Sequence, residues 1–181
     1  MLGPTFRRHQ NIFLMGYRGC GKSTVGKLLA RQLRRRFVDT DCLIEERAGK
    51  TIRQIFDADG EPAFRELEEQ IVREVAERKE ALVIGLGGGA ILRPSNQKAI
   101  INGGAVIYLR ASAESLFARI SQDATSFERR PNLTNRGGFN EVIEILAIRE
   151  PIYQKLSQFT VDSDHKTPDQ VVAEIEGWIN S

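Results

Sequence analysis

The sequence predicts an α/β fold, a three-layer sandwich in which a five-stranded parallel sheet lies between helices. Short apolar or β-branched runs alternate with stretches of helical period, the signature of strand–helix–strand crossovers. The runs are apolar throughout instead of alternating in and out, which suits strands covered by helices on both faces. No internal repeat, low-complexity tract or Pro/Ser-rich linker interrupts the 181 residues, so residues 1–181 are expected to form one domain.

Asn11 to Met15 is the first strand, and Val25, Leu28, Leu29 and Leu33 follow at helical spacing. Phe37-Val38 is a short second strand that runs into the acids Asp39 and Asp41, with a helix beginning about Cys42. Glu61 to Arg78 places Phe64, Leu67, Ile71 and Val75 on one helical stripe, and Pro62 sits near its start, where a missing N–H costs little. Ala81 to Ile84 and Ala105 to Leu109 are the third and fourth strands, and Phe159 to Val161 the fifth. Val171, Val172, Ile175, Trp178 and Ile179 mark a final amphipathic helix. Residues 1–10 precede the pattern as an extension. Residues 121–138 break it, with charges and turn formers but no apolar period; a long irregular stretch of this kind suits a lid hinged at Gly137-Gly138.

Composition narrows the function. Lys and Arg number 26 against 24 Asp and Glu, a net charge of +2 that gives no support to a dedicated nucleic-acid binder. No apolar run approaches the ~20 residues that cross a bilayer. The opening MLGPTFRRHQ lacks the apolar core of a signal peptide, so a cytoplasmic protein is expected. Cys20 and Cys42 are too few for a disulfide framework or a zinc site and read as reduced thiols.

Residues 16–24, GYRGCGKST, match G-x-x-x-x-G-K-[ST] in full, between a strand and a helix. Gly16, Gly19 and Gly21 let the backbone curl so that N–H groups face phosphate oxygens, and the helix start adds its positive dipole end. Lys22 is expected to reach the β- and γ-phosphates and Ser23 to ligate Mg²⁺. The third strand ends in Gly85 without an acid, so the metal's carboxylate is sought in Asp39 or Asp41 at the second strand's tip. One of them can cap the following helix, which leaves the other for an acceptor hydroxyl. No base-reading N-K-x-D occurs, which disfavours a switch GTPase.

Gly87-Gly88-Gly89 follows the third strand and offers bare backbone to a ligand. Arg34-Arg35-Arg36 reads as a solvated helix end. Arg65 and Arg149 adjoin apolar helix faces and need partners; two such guanidinium groups suit a carboxylate, although salt bridges to Glu66, Glu68 or Glu150 would also satisfy them. Arg130 precedes Pro131 in the irregular segment.

Taken together, GYRGCGKST, Val38-Asp39-Thr40-Asp41, Phe64-Arg65-Glu66, Gly87-Gly88-Gly89, Arg130-Pro131 and Arg149-Glu150-Pro151-Ile152-Tyr153 resemble the shikimate kinase family, in its order from about Asn11 onward. The resemblance implies a P-loop NTPase fold of the nucleoside-monophosphate-kinase kind and a monomer. It implies transfer of the γ-phosphoryl of MgATP to the 3-hydroxyl of shikimate, in aromatic amino-acid biosynthesis by way of chorismate. Carried onto this chain, Gly19, Cys20, Gly21, Lys22, Ser23 and Thr24 would hold phosphate, and Ser23 with Asp39 would serve Mg²⁺. Asp41 would orient or deprotonate the attacking hydroxyl. Arg65 and Arg149 would grip the carboxylate, Gly87, Gly88 and Gly89 would line the acceptor pocket, and Arg130 would close over the phosphate. Arg119 and Pro168 would flank the adenine. Two other readings are a kinase for gluconate or a nucleoside monophosphate, and a nucleotide sensor without turnover; the Asp doublet favours a polyol, and intact catalytic positions disfavour a sensor.

Overall fold

In the computed structural model, residues 10–122 and 138–181 are described. Five apolar runs form one sheet: β1 (Asn11–Met15), β2 (Phe37–Asp39), β3 (Val83–Gly85), β4 (Gly104–Arg110) and β5 (Phe159–Asp162), in the order β2-β3-β1-β4-β5. Every pairing is parallel, with Leu14 opposite Gly85, Met15 opposite Tyr108 and Asp39 opposite Gly85. All strands therefore end on the same edge, at Met15, Asp39, Gly85, Arg110 and Asp162. Strand three starts two residues later than Ala81, because Leu82 pairs its N–H with the Asn11 side chain before the ladder begins.

The helices are α1 (Lys22–Gln32), α2 (Thr40–Ala48), α3 (Ile52–Ala76), α4 (Pro94–Gly103), α5 (Ala113–Gln122), α6 (Gly138–Leu156) and α7 (Pro168–Ile179). Side chains alternate across each strand, so both faces are buried. Phe13, Met15, Ile84, Val106 and Tyr108 pack with residues of α2, α3 and α4. Ile12, Leu14, Val83, Ile107 and Leu109 pack with α1, α5 and α7 on the other side. Continuous apolar strands are the direct result.

One expectation holds in part and one needs correction. The helix expected at Glu61 to Arg78 starts there, after a non-helical Gly60 (φ 80°, ψ 170°), and ends at Ala76. What the sequence did not show is the helical stretch before it within α3, which opens at Ile52 where Thr51 and Gln54 form a reciprocal cap. The irregular segment is also shorter than 121–138: Ser121 and Gln122 belong to α5, and Gly138 (φ 64°) opens α6. The remainder of that segment, with Arg130, lies outside the described residues, as do residues 1–9. At the end of α1, Arg34 takes a left-handed turn (φ 53°) and Arg35 donates to the Gln10 carbonyl at 2.8 Å, so the arginine run ends the helix.

Candidate active site

β1 delivers the chain into a tight loop. Gly16, Gly19 and Gly21 have φ values of 147°, 82° and 97°, a region that side chains disfavour, and a Cβ at Gly16 would sit 2.6 Å from the Leu109 carbonyl oxygen. α1 starts at Lys22, so its unpaired N–H groups and positive end face the loop. The Lys22 ammonium lies across it, donating to the carbonyl oxygens of Gly16 at 2.8 Å and Tyr17 at 3.0 Å. A cleft of about 830 Å³ opens above, lined by residues 18–25 and by Asp39, Asp41, Arg119 and Pro168. Arg119 comes from α5; its guanidinium donates to the Ser163 carbonyl at 2.7 Å and hydroxyl at 3.1 Å, and it lines the cleft together with Pro168 at the start of α7.

The tip of β2 divides its labour. Asp39 caps α2, its Oδ1 accepting from the Asp41 N–H at 3.0 Å, while its Oδ2 accepts from the Ser23 hydroxyl at 2.9 Å. Asp41 sits in the first turn of α2 and faces the cleft. Among the described residues no three His, Cys, Asp or Glu side chains form an all-protein metal cage. The two hard oxygens of Ser23 and Asp39 fit Mg²⁺, which takes its other ligands from phosphate and water.

A smaller cavity adjoins the cleft and is lined by Asp41, Arg65, Glu68, Gly87, Gly88, Gly89 and Arg149. Each glycine makes room for one of the expected acceptor groups. A Cβ on Gly87 would lie 2.5 Å from Asp41 Oδ1, one on Gly88 3.2 Å from Arg149 Nη1, and one on Gly89 2.6 Å from Arg65 Nη1. Three elements thus converge: Asp41 from α2, Arg65 from α3 and the buried Arg149 from α6.

Two positioning groups escaped the sequence reading, and a third was named there only as a salt-bridge partner. Thr40, fully buried, accepts from the Gly87 N–H at 2.9 Å and donates to the Gly85 carbonyl, so it ties the glycine loop to β2. The buried Tyr153 donates to the Gly88 carbonyl at 2.7 Å and stacks on Tyr108. Glu68 is 1% exposed and accepts from Arg65 at 2.8 Å, so the salt bridge expected on the surface is an interior one; exposed Glu61 holds the other side of Arg65 at 3.0 Å. Burial pushes the Glu68 carboxyl up from its ordinary value against the pull of Arg65, and nearby Asp41 adds to the rise. Burial works to lower Arg65, but Glu68 and Glu61 together raise it above its ordinary value. The spacing Arg65 to Glu68 is the signal in the sequence, but it gives no depth.

The structure brings together every candidate residue within its described range, and only Arg130 lies outside it. A family model described as shikimate kinase matches residues 18–180. A shikimate kinase from Rhodopirellula baltica is 43% identical over 166 residues, covering 92% of this chain and 88% of that protein. A shikimate kinase from Acinetobacter baumannii, solved in complex with shikimate, superposes with a TM-score of 0.88 at 34% identity, covering 94% of this chain and 93% of that one. A gluconokinase from Sinorhizobium meliloti, at 19% identity and a TM-score of 0.57 over 96% and 93% of the two chains, shares the fold alone.

Proposed function

The chain belongs to the shikimate kinase family, and we propose that it transfers the γ-phosphoryl of MgATP to the 3-hydroxyl of shikimate, giving shikimate 3-phosphate and ADP. The nucleotide would lie in the larger cleft, its base between Arg119 and Pro168 and its phosphates on the loop from Gly19 to Thr24. Lys22 would leave the loop carbonyls for the β- and γ-phosphates. Ser23 and Asp39, the latter through water, would hold Mg²⁺, which when bound draws charge from the phosphate oxygens.

The acceptor would occupy the smaller cavity. Arg65 and Arg149 supply planar donors for its carboxylate. Asp41 accepts a hydrogen bond from the attacking hydroxyl and aims it across the boundary of the two cavities. Phosphoryl transfer asks for little covalent help, so alignment and charge stabilisation supply most of the rate. Arg130 is proposed to add positive charge over the transferring group.

One observation carries this reading: the three consecutive glycines back onto Asp41, Arg149 and Arg65 around a cavity that adjoins the phosphate loop. A coupled assay of ADP formation with MgATP tests it. We expect shikimate to drive turnover and gluconate to leave it at background; turnover with gluconate alone would overturn the reading.

A further inference from the structure

The phosphate-loop pattern constrains Gly16, Gly21, Lys22 and Ser23 but leaves residue 18 open, so an arginine there has no explanation in the motif. Arg18 is not an outward surface cation. Its side chain is 12% exposed, and its Nη2 donates at 3.1 Å to Oε1 of Glu141, a carboxylate 1% exposed in the first turn of α6. Enclosing two charges has a desolvation cost that their attraction only partly offsets, so such a pair adds little to fold stability over apolar residues of the same size. It joins the phosphate loop to the helix that carries Arg149, across 123 residues of sequence.

Location is the second observation. Arg18 and Asp41 each line both the nucleotide cleft and the acceptor cavity, so they mark where the two spaces meet. A group passing from nucleotide to acceptor crosses that boundary. Lys22 serves the nucleotide side of the crossing; a guanidinium at residue 18 lies nearer the acceptor.

We propose that Arg18 is a further catalytic residue, contacting the phosphoryl group in transit while Glu141 acts as its positioning residue. This rests on the kinase reading above. In the step, a bond forms from the acceptor hydroxyl oxygen to phosphorus as the bond from phosphorus to the β–γ bridging oxygen breaks. That electron pair leaves on ADP, and the hydroxyl proton passes to Asp41. Negative charge is carried by the equatorial oxygens and the departing oxygen. A permanently charged planar donor, already oriented by a buried carboxylate, stabilises that charge without reorganising.

Steady-state kinetics and thermal melts on Arg18→Ala, Arg18→Lys and Glu141→Gln test this. Arg18→Ala is expected to lower kcat on the order of 100-fold, with KM for ATP and shikimate changed only a few-fold. Arg18→Lys keeps the charge and guards against a folding loss; it should melt near wild type and recover part of kcat. Glu141→Gln should lower kcat by about 10-fold at unchanged ATP KM, a smaller fall than outright loss of the donor. Aluminium fluoride with MgADP and shikimate should stabilise the wild type against heat and the Arg18→Ala variant far less, while MgADP alone stabilises both alike. An active wild type with unchanged kcat in Arg18→Ala and Arg18→Lys, whatever the melting points, would overturn the assignment and leave Arg18 a strut. A wild type inactive with shikimate would instead sink the reading of function.

Discussion

Arg65 stands between exposed Glu61 and buried Glu68, at 3.0 and 2.8 Å. Two carboxylates on one guanidinium hold it in place before any ligand arrives, and Gly89 gives it room. Arg65→Ala is expected to raise the shikimate KM about 10- to 100-fold, the worth of one charge-assisted contact, while kcat for saturating acceptor changes little. Gly89→Ala, which drives a Cβ to 2.6 Å from Arg65 Nη1, should act in the same direction. An unchanged shikimate KM in both variants counts against the carboxylate clamp. Glu68 adds a pH signature. Its value is raised in the folded protein, so the folded chain holds that proton to higher pH than the unfolded chain does. Its contribution to stability is therefore greatest below the unfolded value of about 4.5 and is lost as pH rises through the raised folded value. Glu68→Gln lacks this titration, so the melting temperature of wild type relative to Glu68→Gln should fall across that window. Parallel melting profiles would refute it.

At the scale of the element, α2 shows one residue serving both fold and site. Asp39 caps the helix through one oxygen and meets Ser23 through the other. Asparagine keeps the cap, whereas alanine loses it at a cost of about 1 kcal/mol. Asp39→Asn should therefore melt near wild type yet need more Mg²⁺ for half-maximal activity, and Asp39→Ala should show both defects; equal Mg²⁺ dependence in all three proteins would remove Asp39 from the metal site. The role of the acid doublet was half legible in the sequence, since an acid at a strand tip reads equally as cap or ligand. Which oxygen faces where is decided by the helix that follows. The strands were legible because burial on both faces leaves an uninterrupted apolar run. α3 was half legible: Pro62 marked the start of its second part correctly, since Gly60 is non-helical (φ 80°, ψ 170°), but the first part, capped at Thr51, carried no stripe that the sequence reading picked out. The roles of Thr40 and Tyr153 escaped because they lie in contacts to the glycine loop, and Glu68 was legible as a partner for Arg65 but not as a buried one, since one-dimensional spacing does not encode depth.

For the whole molecule, parallel pairing brings the turns after β1, β2 and β3 to one edge, and the order β2-β3-β1-β4-β5 puts the phosphate loop at the point where the strand order turns outward in both directions. A gluconokinase at 19% identity shares this fold and nothing more, so the strand order does not name the acceptor. On the proposed reading the choice of acceptor rests on what α3 and α6 deliver to the cavity, namely two arginines packed against Gly88 and Gly89. A carboxylate answers both of them, and a neutral ester of the same ring answers neither charge. Methyl shikimate keeps every hydroxyl of the acceptor, including the one that attacks, so it isolates this term. Its kcat/KM should fall on the order of 100-fold or more below that of shikimate, since two charge-assisted interactions at roughly 1.5–3 kcal/mol each are weakened together. In Arg65→Ala the same comparison should shrink, because one of the two partners is already gone. An ester discrimination undiminished in that variant would mean that Arg65 does not read the carboxylate, and that the acceptor lies elsewhere on this edge of the sheet.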